Sequence, residues 1–112
     1  MLPKKARLSS EREIRQTIKT KQYESRSHLL YLVAQENTLD VSRLAVVTPK
    51  KLGKAVVRNR LRRIFQAAFV KIRHKIAKNI NLVIFPRPSA IGKTAGDAEV
   101  GLVKCLNRIK LA

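Results

Sequence analysis

The side chains with the clearest chemistry in this sequence are cations, concentrated in one short segment. From residue 50 to residue 63 the chain reads KKLGKAVVRNRLRR, with seven cations and no acid. A guanidinium group can donate two parallel hydrogen bonds to one phosphate, and a lysine ammonium group binds phosphate as a point charge. A glycine beside a helix start also leaves backbone N–H groups for a phosphate. The segment therefore predicts contact with a phosphate backbone.

The charge of the whole chain supports the same interpretation. Its 112 residues include 25 Lys and Arg against 7 Asp and Glu, for a formal charge of +18. No acid lies between residues 41 and 96, a stretch that holds 14 of the cations. A solvated helix face usually mixes charge signs to gain i, i+4 pairs. The excess predicts a polyanionic partner, with RNA or DNA ahead of an anionic membrane surface.

Side chains for catalysis by the chain itself are scarce. No pair of carboxylates lies in a basic or apolar setting that would tune it for acid–base work, and a two-metal nuclease needs clustered acids. His28 and His74 are isolated in sequence, and Cys105 is the lone cysteine. No Walker or Rossmann glycine pattern occurs. The sequence therefore predicts RNA binding rather than RNA cleavage by this chain alone.

Composition and length predict one packed domain over residues 1–112. Hydrophobic residues make up 45% of the chain, enough for a core. No stretch approaches the roughly 20 apolar residues of a membrane span, and the N-terminus lacks the apolar core of a secretory signal. A cytoplasmic location is the expectation. Residues 1–8 are basic and contain Pro3, so we expect a flexible basic arm there.

Hydrophobic periodicity and capping signals define the elements that must position the cations. Ser10 and Glu13 read as a capping box at the start of a helix. The predicted elements, in chain order, are helix 11–19, strand 28–35, strand 43–48, helix 55–77, strand 80–86 and helix 94–110. The short connection between the first two strands predicts an antiparallel hairpin. Strand 43–48, the long helix and strand 80–86 form a β-α-β unit within an α+β or α/β sandwich.

The basic segment also resembles a known signature. Lys50 to Arg63 matches the pattern K-K-x-G-x-A-V-x-R-N-R-x-(K/R)-R of the protein subunit of bacterial ribonuclease P. The basic N-terminus, the strand that ends near Pro86-Arg87-Pro88 and the closing helix follow in family order. The resemblance implies a compact α+β two-layer sandwich of order α-β-β-α-β-α. It also implies a left-handed β-α-β crossover, against the general right-handed preference.

The resemblance further implies a role as subunit of an endoribonuclease that removes the 5′ leader of precursor tRNA. In the family the large RNA carries the Mg²⁺-dependent active site, so Mg²⁺ is required by the holoenzyme and no cofactor is expected on the protein alone. The protein binds the catalytic RNA and holds the leader of precursor tRNA. Neither a membrane nor DNA is an expected partner.

The resemblance assigns two groups of residues in this sequence. The predicted contacts to the catalytic RNA are Lys50, Lys51, Lys54, Arg58, Asn59, Arg60, Arg62 and Arg63. The predicted leader groove, between the first helix and the sheet, contains Ile14, Ile18, Lys19 and Tyr31. Aromatic residues are frequent in the family at the positions of Ile14 and Ile18, so here apolar contact replaces part of the stacking on leader bases.

Two other functions remain alternatives at this point. The chain could be a small basic ribosomal or structural RNA-binding protein with no role in cleavage. It could also be an autonomous nuclease, which needs a set of catalytic residues that the sequence lacks. The ribonuclease P hypothesis predicts that the protein stimulates the cleavage of precursor tRNA by a catalytic RNA. Neither alternative predicts this stimulation.

Overall fold

The computed structural model of the chain describes residues 2–112. Three α-helices and four strands form the domain, with short 3-10 turns between them. In chain order the elements are α1 Glu11–Lys19, β1 Tyr23–Arg26, β2 Leu30–Glu36, β3 Arg43–Val46, α2 Ala55–Ile72, β4 Ile80–Pro86 and α3 Ala95–Arg108. The α+β class predicted from the sequence is confirmed, with β1 as an additional strand.

The four strands form one mixed sheet in the order β1-β2-β4-β3. β2 pairs antiparallel with β1 and with β4, whereas β3 pairs parallel with β4. The predicted β-α-β unit is therefore confirmed, with α2 as the crossover between β3 and β4. The predicted hairpin of β2 and β3 is wrong, because β4 lies between them. β4 is apolar except for Asn81, and such strands take central places where both faces are covered. The hand of the crossover stays a prediction.

Alternate residues of the strands build two cores of unequal size. Leu30, Leu32 and Ala34 of β2 point to the face covered by α2 and α3, where the main core lies. Tyr31 and Val33 point to the opposite face, where a smaller cluster forms against α1. The main sandwich therefore has two layers, and α1 covers part of the second sheet face. Beside α1, Tyr31 and Phe85 on this face are half-buried, and the leader groove expected there stays a prediction.

The long helix α2 ends earlier than its hydrophobic pattern suggested. The helix was predicted over 55–77, but its α-helical part ends at Ile72 and a 3-10 turn follows at Arg73–Lys75. Its inner face carries buried Leu61, Phe65 and Ile72, as the pattern predicted. Within residues 2–112, no helix is both long and apolar enough to cross a membrane.

The N-terminal segment packs on the domain, although its composition predicted a flexible basic arm over residues 1–8. Leu2, Ala6 and Leu8 are buried, because the apolar residues of this segment point inward between its cations. Arg7 forms a parallel bridge with Leu44, and the Leu8 N–H donates to the Leu44 carbonyl at 2.9 Å. Residues 2–8 thus shield the outer edge of β3. Met1 lies outside the described residues.

Candidate nucleic-acid interface

The basic segment joins β3 to the start of α2 through a 3-10 turn and one glycine. Gly53 has a φ of 138°, a conformation that L side chains rarely adopt. A Cβ at this position would also meet Val57 Cγ1 at 3.3 Å. The glycine lets the chain enter α2 directly after the Lys50–Leu52 turn. The predicted RNA-binding residues are consequently gathered at one end of one helix.

Exposure divides these residues into two groups. Arg58 and Arg62 are half-buried beside the connection from β3. The other predicted contacts are exposed, namely Lys50, Lys51, Lys54, Asn59, Arg60 and Arg63. All eight predicted residues lie in the turn before α2 or in the first half of this helix. Their contact with RNA stays a prediction.

The two half-buried arginines hold the helix start in place. The Arg58 Nε–H donates to the Gly53 carbonyl at 3.2 Å. Arg62 donates to the Thr48 hydroxyl and to the Asn59 side-chain oxygen. Among the described residues, Arg60 and Arg63 make no hydrogen bond or ion pair. The segment thus contains arginines with internal partners and arginines whose donors are available to an anion.

The N-terminus of α2 also lacks the groups that neutralise the ends of the other helices. Ser10 caps α1, and Thr94 with Asp97 forms a capping box on α3. At α2, Lys54 occupies the capping position without a side-chain hydrogen bond, and the first turn holds no acid. The positive end of the helix dipole therefore adds to the cationic side chains around it.

The groove predicted for the leader lies between α1 and the sheet. Ile14 and Ile18 of α1 are half-buried and pack on the smaller cluster with Tyr31, Val47 and Phe85. The ring centroids of Tyr31 and Phe85 are 5.7 Å apart. Ile14, Ile18 and Tyr31 are therefore brought together, as predicted. Together with Phe85 they provide an apolar surface with two aromatic rings.

Lys19 is the predicted groove residue that the structure places elsewhere. It is exposed in the last turn of α1, on the outer surface of the helix beside Arg12, Arg15 and Gln16. The helical period explains this placement, because residue 19 lies about 140° around the helix from residue 14. Lys19 thus belongs to the cationic outside of α1 and not to the groove floor.

Two groove residues were missed from the sequence. Phe85 is half-buried in the smaller cluster and pairs with Tyr31 across β2 and β4. Arg26 pairs with Tyr31 across β1 and β2, and its guanidinium carbon lies 5.0 Å from the centre of the Tyr31 ring. Alternation within β4 was the available signal for Phe85. Arg26 lies on a strand whose existence was not predicted.

The acids near the groove bind neighbouring groups of the same chain. The Tyr31 hydroxyl donates to Glu24 Oε2 at 2.5 Å, which raises the pKa of Tyr31. The Arg43 guanidinium donates to Glu13 Oε2 at 2.8 Å, and this hydrogen bond lowers the pKa of Glu13. Arg43 also donates from Nε to the side-chain oxygen of Asn81 at 3.0 Å. Both acids beside these residues are therefore occupied, Glu13 by an ion pair and Glu24 by a hydrogen bond.

The acids and the cysteine of the described residues are dispersed. Among residues 2–112 no group of three or more His, Cys, Asp and Glu side chains comes together. Glu13 and Glu24 accept hydrogen bonds from Arg43 and Tyr31, and Cys105 is buried. The absence of a cofactor on the protein alone stays a prediction.

Comparison with known proteins identifies the family. A family model described as Ribonuclease P matches residues 2–110. The chain belongs to the ribonuclease P protein family. Membership implies a subunit of an RNA-processing ribonucleoprotein enzyme with ribonuclease P RNA as its partner, and it connects the chain with tRNA processing.

Relatives and solved structures agree with this membership. The ribonuclease P protein component of Syntrophomonas wolfei is 36% identical over 96 residues, which cover 85% of this chain and 78% of that protein. The structure of the RNase P protein of Thermotoga maritima is 25% identical, with a TM-score of 0.80 over 91% of this chain and 96% of that one. The structure of the Staphylococcus aureus RNase P protein, 21% identical in sequence, gives a TM-score of 0.81. The match covers 95% of this chain and 96% of that one, which shows the shared fold.

Proposed function

We propose that this chain binds the catalytic RNA of ribonuclease P and the 5′ leader of precursor tRNA, and so assists endonucleolytic 5′ maturation. The observation that carries the proposal is the exposed cationic start of α2, where Arg60 and Arg63 have no partner among the described residues. The segment keeps its cations together without a neighbouring acid. Family membership favours this role over that of a general ribosomal or structural RNA-binding protein.

The proposed mechanism is electrostatic and positional. Precursor tRNA and the catalytic RNA are both polyanions, so their phosphates repel each other where they meet. Lysines and arginines at the start of α2 neutralise phosphates of the catalytic RNA and release the counterions condensed on them. The protein thereby lowers the Mg²⁺ concentration needed for substrate binding. Mg²⁺ at the reacting phosphate is bound by the catalytic RNA, since the described part of the chain provides no cluster of donors.

The groove serves the substrate in this proposal. Ile14, Ile18 and Tyr31 form an apolar surface that an unpaired leader can contact through its bases. Phe85 extends this surface by a second ring, and Arg26 places a cation next to it. The acids beside this surface already bind Tyr31 and Arg43, so bases meet its apolar part and a phosphate can meet Arg26.

The decisive experiment is cleavage of precursor tRNA at low Mg²⁺ concentration. Protein alone, a bacterial ribonuclease P RNA alone and their mixture are compared, with release of the 5′ leader as the readout. We expect leader release in the mixture only. RNA binding without any stimulation would return the chain to a general RNA-binding role, and cleavage by protein alone would indicate an autonomous nuclease.

A further inference from the structure

A cleft separates the start of α2 from the loop before α3, and Arg60 is the proposed RNA contact that lines it. Its volume is about 230 Å³. Val57, Leu61 and Ile64 form the wall on the side of α2, and loop residues 90–93 form the other. A shallower hollow adjoins it at Arg60 and Ile64. The cleft therefore begins at the cationic segment and extends along the loop.

The interior of the cleft is apolar and open at one side. Leu61 and Ala90 are buried at its base, whereas Ile91 keeps 44% of its surface exposed. Gly92 has a φ of 84°, and no atom lies within 4 Å of the position that a Cβ would take there. The cleft is thus accessible from solvent beside Gly92. Ile91 forms its exposed edge, which is an apolar side chain on a strongly cationic protein.

Cations surround this apolar interior. Arg60 and Lys93 line the cleft, and Arg63 lines the adjoining hollow. Among the described residues, none of these three side chains is held in a hydrogen bond or ion pair. The acid closest in sequence, Asp97, accepts hydrogen bonds from the Thr94 N–H and hydroxyl at 3.0 Å within the cap of α3. The rim is therefore positive and has open donors.

An apolar interior within a cationic rim matches the chemistry of one nucleotide. The base would occupy the interior, and the neighbouring phosphates would meet Arg60, Arg63 and Lys93. The cleft is several times the roughly 30 Å³ that one water molecule occupies in the liquid, which suits a single planar base rather than a base pair. Bases of a duplex are stacked, whereas those of unpaired RNA can turn outward into protein pockets.

From this arrangement we infer that the cleft binds one unstacked nucleotide of ribonuclease P RNA. The inference rests on the proposed function and deepens it. It adds Ile91 and Lys93, from the loop before α3, to the RNA-binding residues of α2. The basic segment then fixes the backbone of the RNA, and the cleft selects an unpaired nucleotide in the correct position along it.

The test compares two isoleucine-sized side chains with the same exposure. Ile91→Ala removes the apolar edge of the cleft, and Leu39→Ala removes a leucine that is also 44% exposed, in the loop between β2 and β3. We expect Ile91→Ala to raise the Kd for ribonuclease P RNA about fivefold, since one base loses its apolar contact. Leu39→Ala should stay close to wild type. Equal Kd values for the two variants would overturn the inference.

Photocrosslinking provides a direct readout. A benzoylphenylalanine in place of Ile91 should crosslink ribonuclease P RNA at a single unpaired nucleotide, and the same group in place of Leu39 should not reach that nucleotide. A crosslink within a duplex, or none in an otherwise intact complex, would exclude base insertion. Failure of the proposed function is a separate result, because wild-type protein would then neither bind this RNA nor stimulate cleavage.

Salt dependence checks the role assigned to Lys93. Lys93→Ala should reduce the slope of log K against log salt concentration by about 1, as expected for one lost phosphate contact. Lys75→Ala, which removes an exposed lysine beyond the far end of α2, serves as the matched control. Identical slopes for both variants and wild type would remove Lys93 from the interface.

Discussion

The start of α2 and the groove beside α1 differ in how their polar groups are occupied. At the start of α2, the donors of Arg60 and Arg63 have no partner among the described residues. In the groove, Glu24 binds Tyr31, and Glu13 binds Arg43. Open cations attract phosphates over a distance set by ionic strength, whereas apolar groups act only on contact. We therefore expect the first surface to supply affinity and the second to distinguish between ligands.

The largest expected effect comes from removing open cations at the start of α2. Arg60→Ala combined with Arg63→Ala should weaken binding to ribonuclease P RNA by roughly 10-fold or more and reduce the salt slope by about 2. The measurement is Kd over a series of salt concentrations.

Lys71→Ala is the control for this pair, because it removes an exposed cation from the last turn of the same helix. It should leave Kd nearly unchanged. A double variant with the wild-type salt slope would contradict the division between the two surfaces. Arg58→Ala is a less direct test, since Arg58 also donates to the Gly53 carbonyl and its loss disturbs the helix start.

The next effect concerns the groove and should be selective. Tyr31→Ala removes one ring of the Tyr31–Phe85 pair and should weaken binding of leader-containing precursor tRNA to the holoenzyme about fivefold. Affinity for the catalytic RNA should not change. Tyr23→Ala is the control, because Tyr23 packs on the opposite side of the sheet. Equal loss for precursor tRNA and mature tRNA would show that Tyr31 does not contact the leader.

Elements with local signals could be predicted from the sequence with accurate bounds. α1 begins after Ser10, whose side chain accepts from the Glu13 N–H, and the helix covers 11–19 as expected. β4 covers Ile80–Pro86 as expected, because a run that is apolar except for Asn81 ends at a proline. β1 was missed because its Tyr-Glu-Ser-Arg sequence contains a single apolar side chain. An edge strand of this composition gains its stability from pairing with β2, which the local sequence does not reveal.

The same distinction applies to the two surfaces. The cations of the basic segment are close in sequence, so their clustering could be predicted from the residues. The groove joins α1, β2 and β4, and its composition depends on strand order and register. The wrongly predicted hairpin of β2 and β3 shows why such contacts are hard to infer. β4 lies between these strands in the sheet although it follows both of them in sequence, after α2. The resemblance predicted Tyr31, whereas Phe85 and Arg26 required the observed register.

A smaller effect is expected from the support of Arg62. Thr48→Val removes the hydroxyl that accepts from Arg62 and keeps the shape of the side chain. Arg62 then loses a fixed orientation, and Kd for the catalytic RNA should rise about threefold. The salt slope should stay the same because no charge is lost, and Thr48→Ser should restore the affinity. A reduced slope would mean that Thr48 affects more than the position of Arg62.

The smallest effect tests whether the charges of the groove are paired in solution. The hydrogen bond from Arg43 lowers the pKa of Glu13, so the pair stabilises the fold above the ordinary carboxyl pKa. This contribution disappears as the pH falls through the lowered pKa.

Glu13 is half-exposed, and Glu13→Gln should therefore cost about 0.5 kcal/mol of unfolding free energy near neutral pH. Thermal unfolding from neutral to acidic pH should show the difference from wild type shrinking. Glu11→Gln, which breaks a more exposed pair with Arg15, should cost less near neutral pH. If Glu13→Gln matches Glu11→Gln there, the Glu13–Arg43 pair is no firmer than a fully exposed pair, and the contrast between the two surfaces fails.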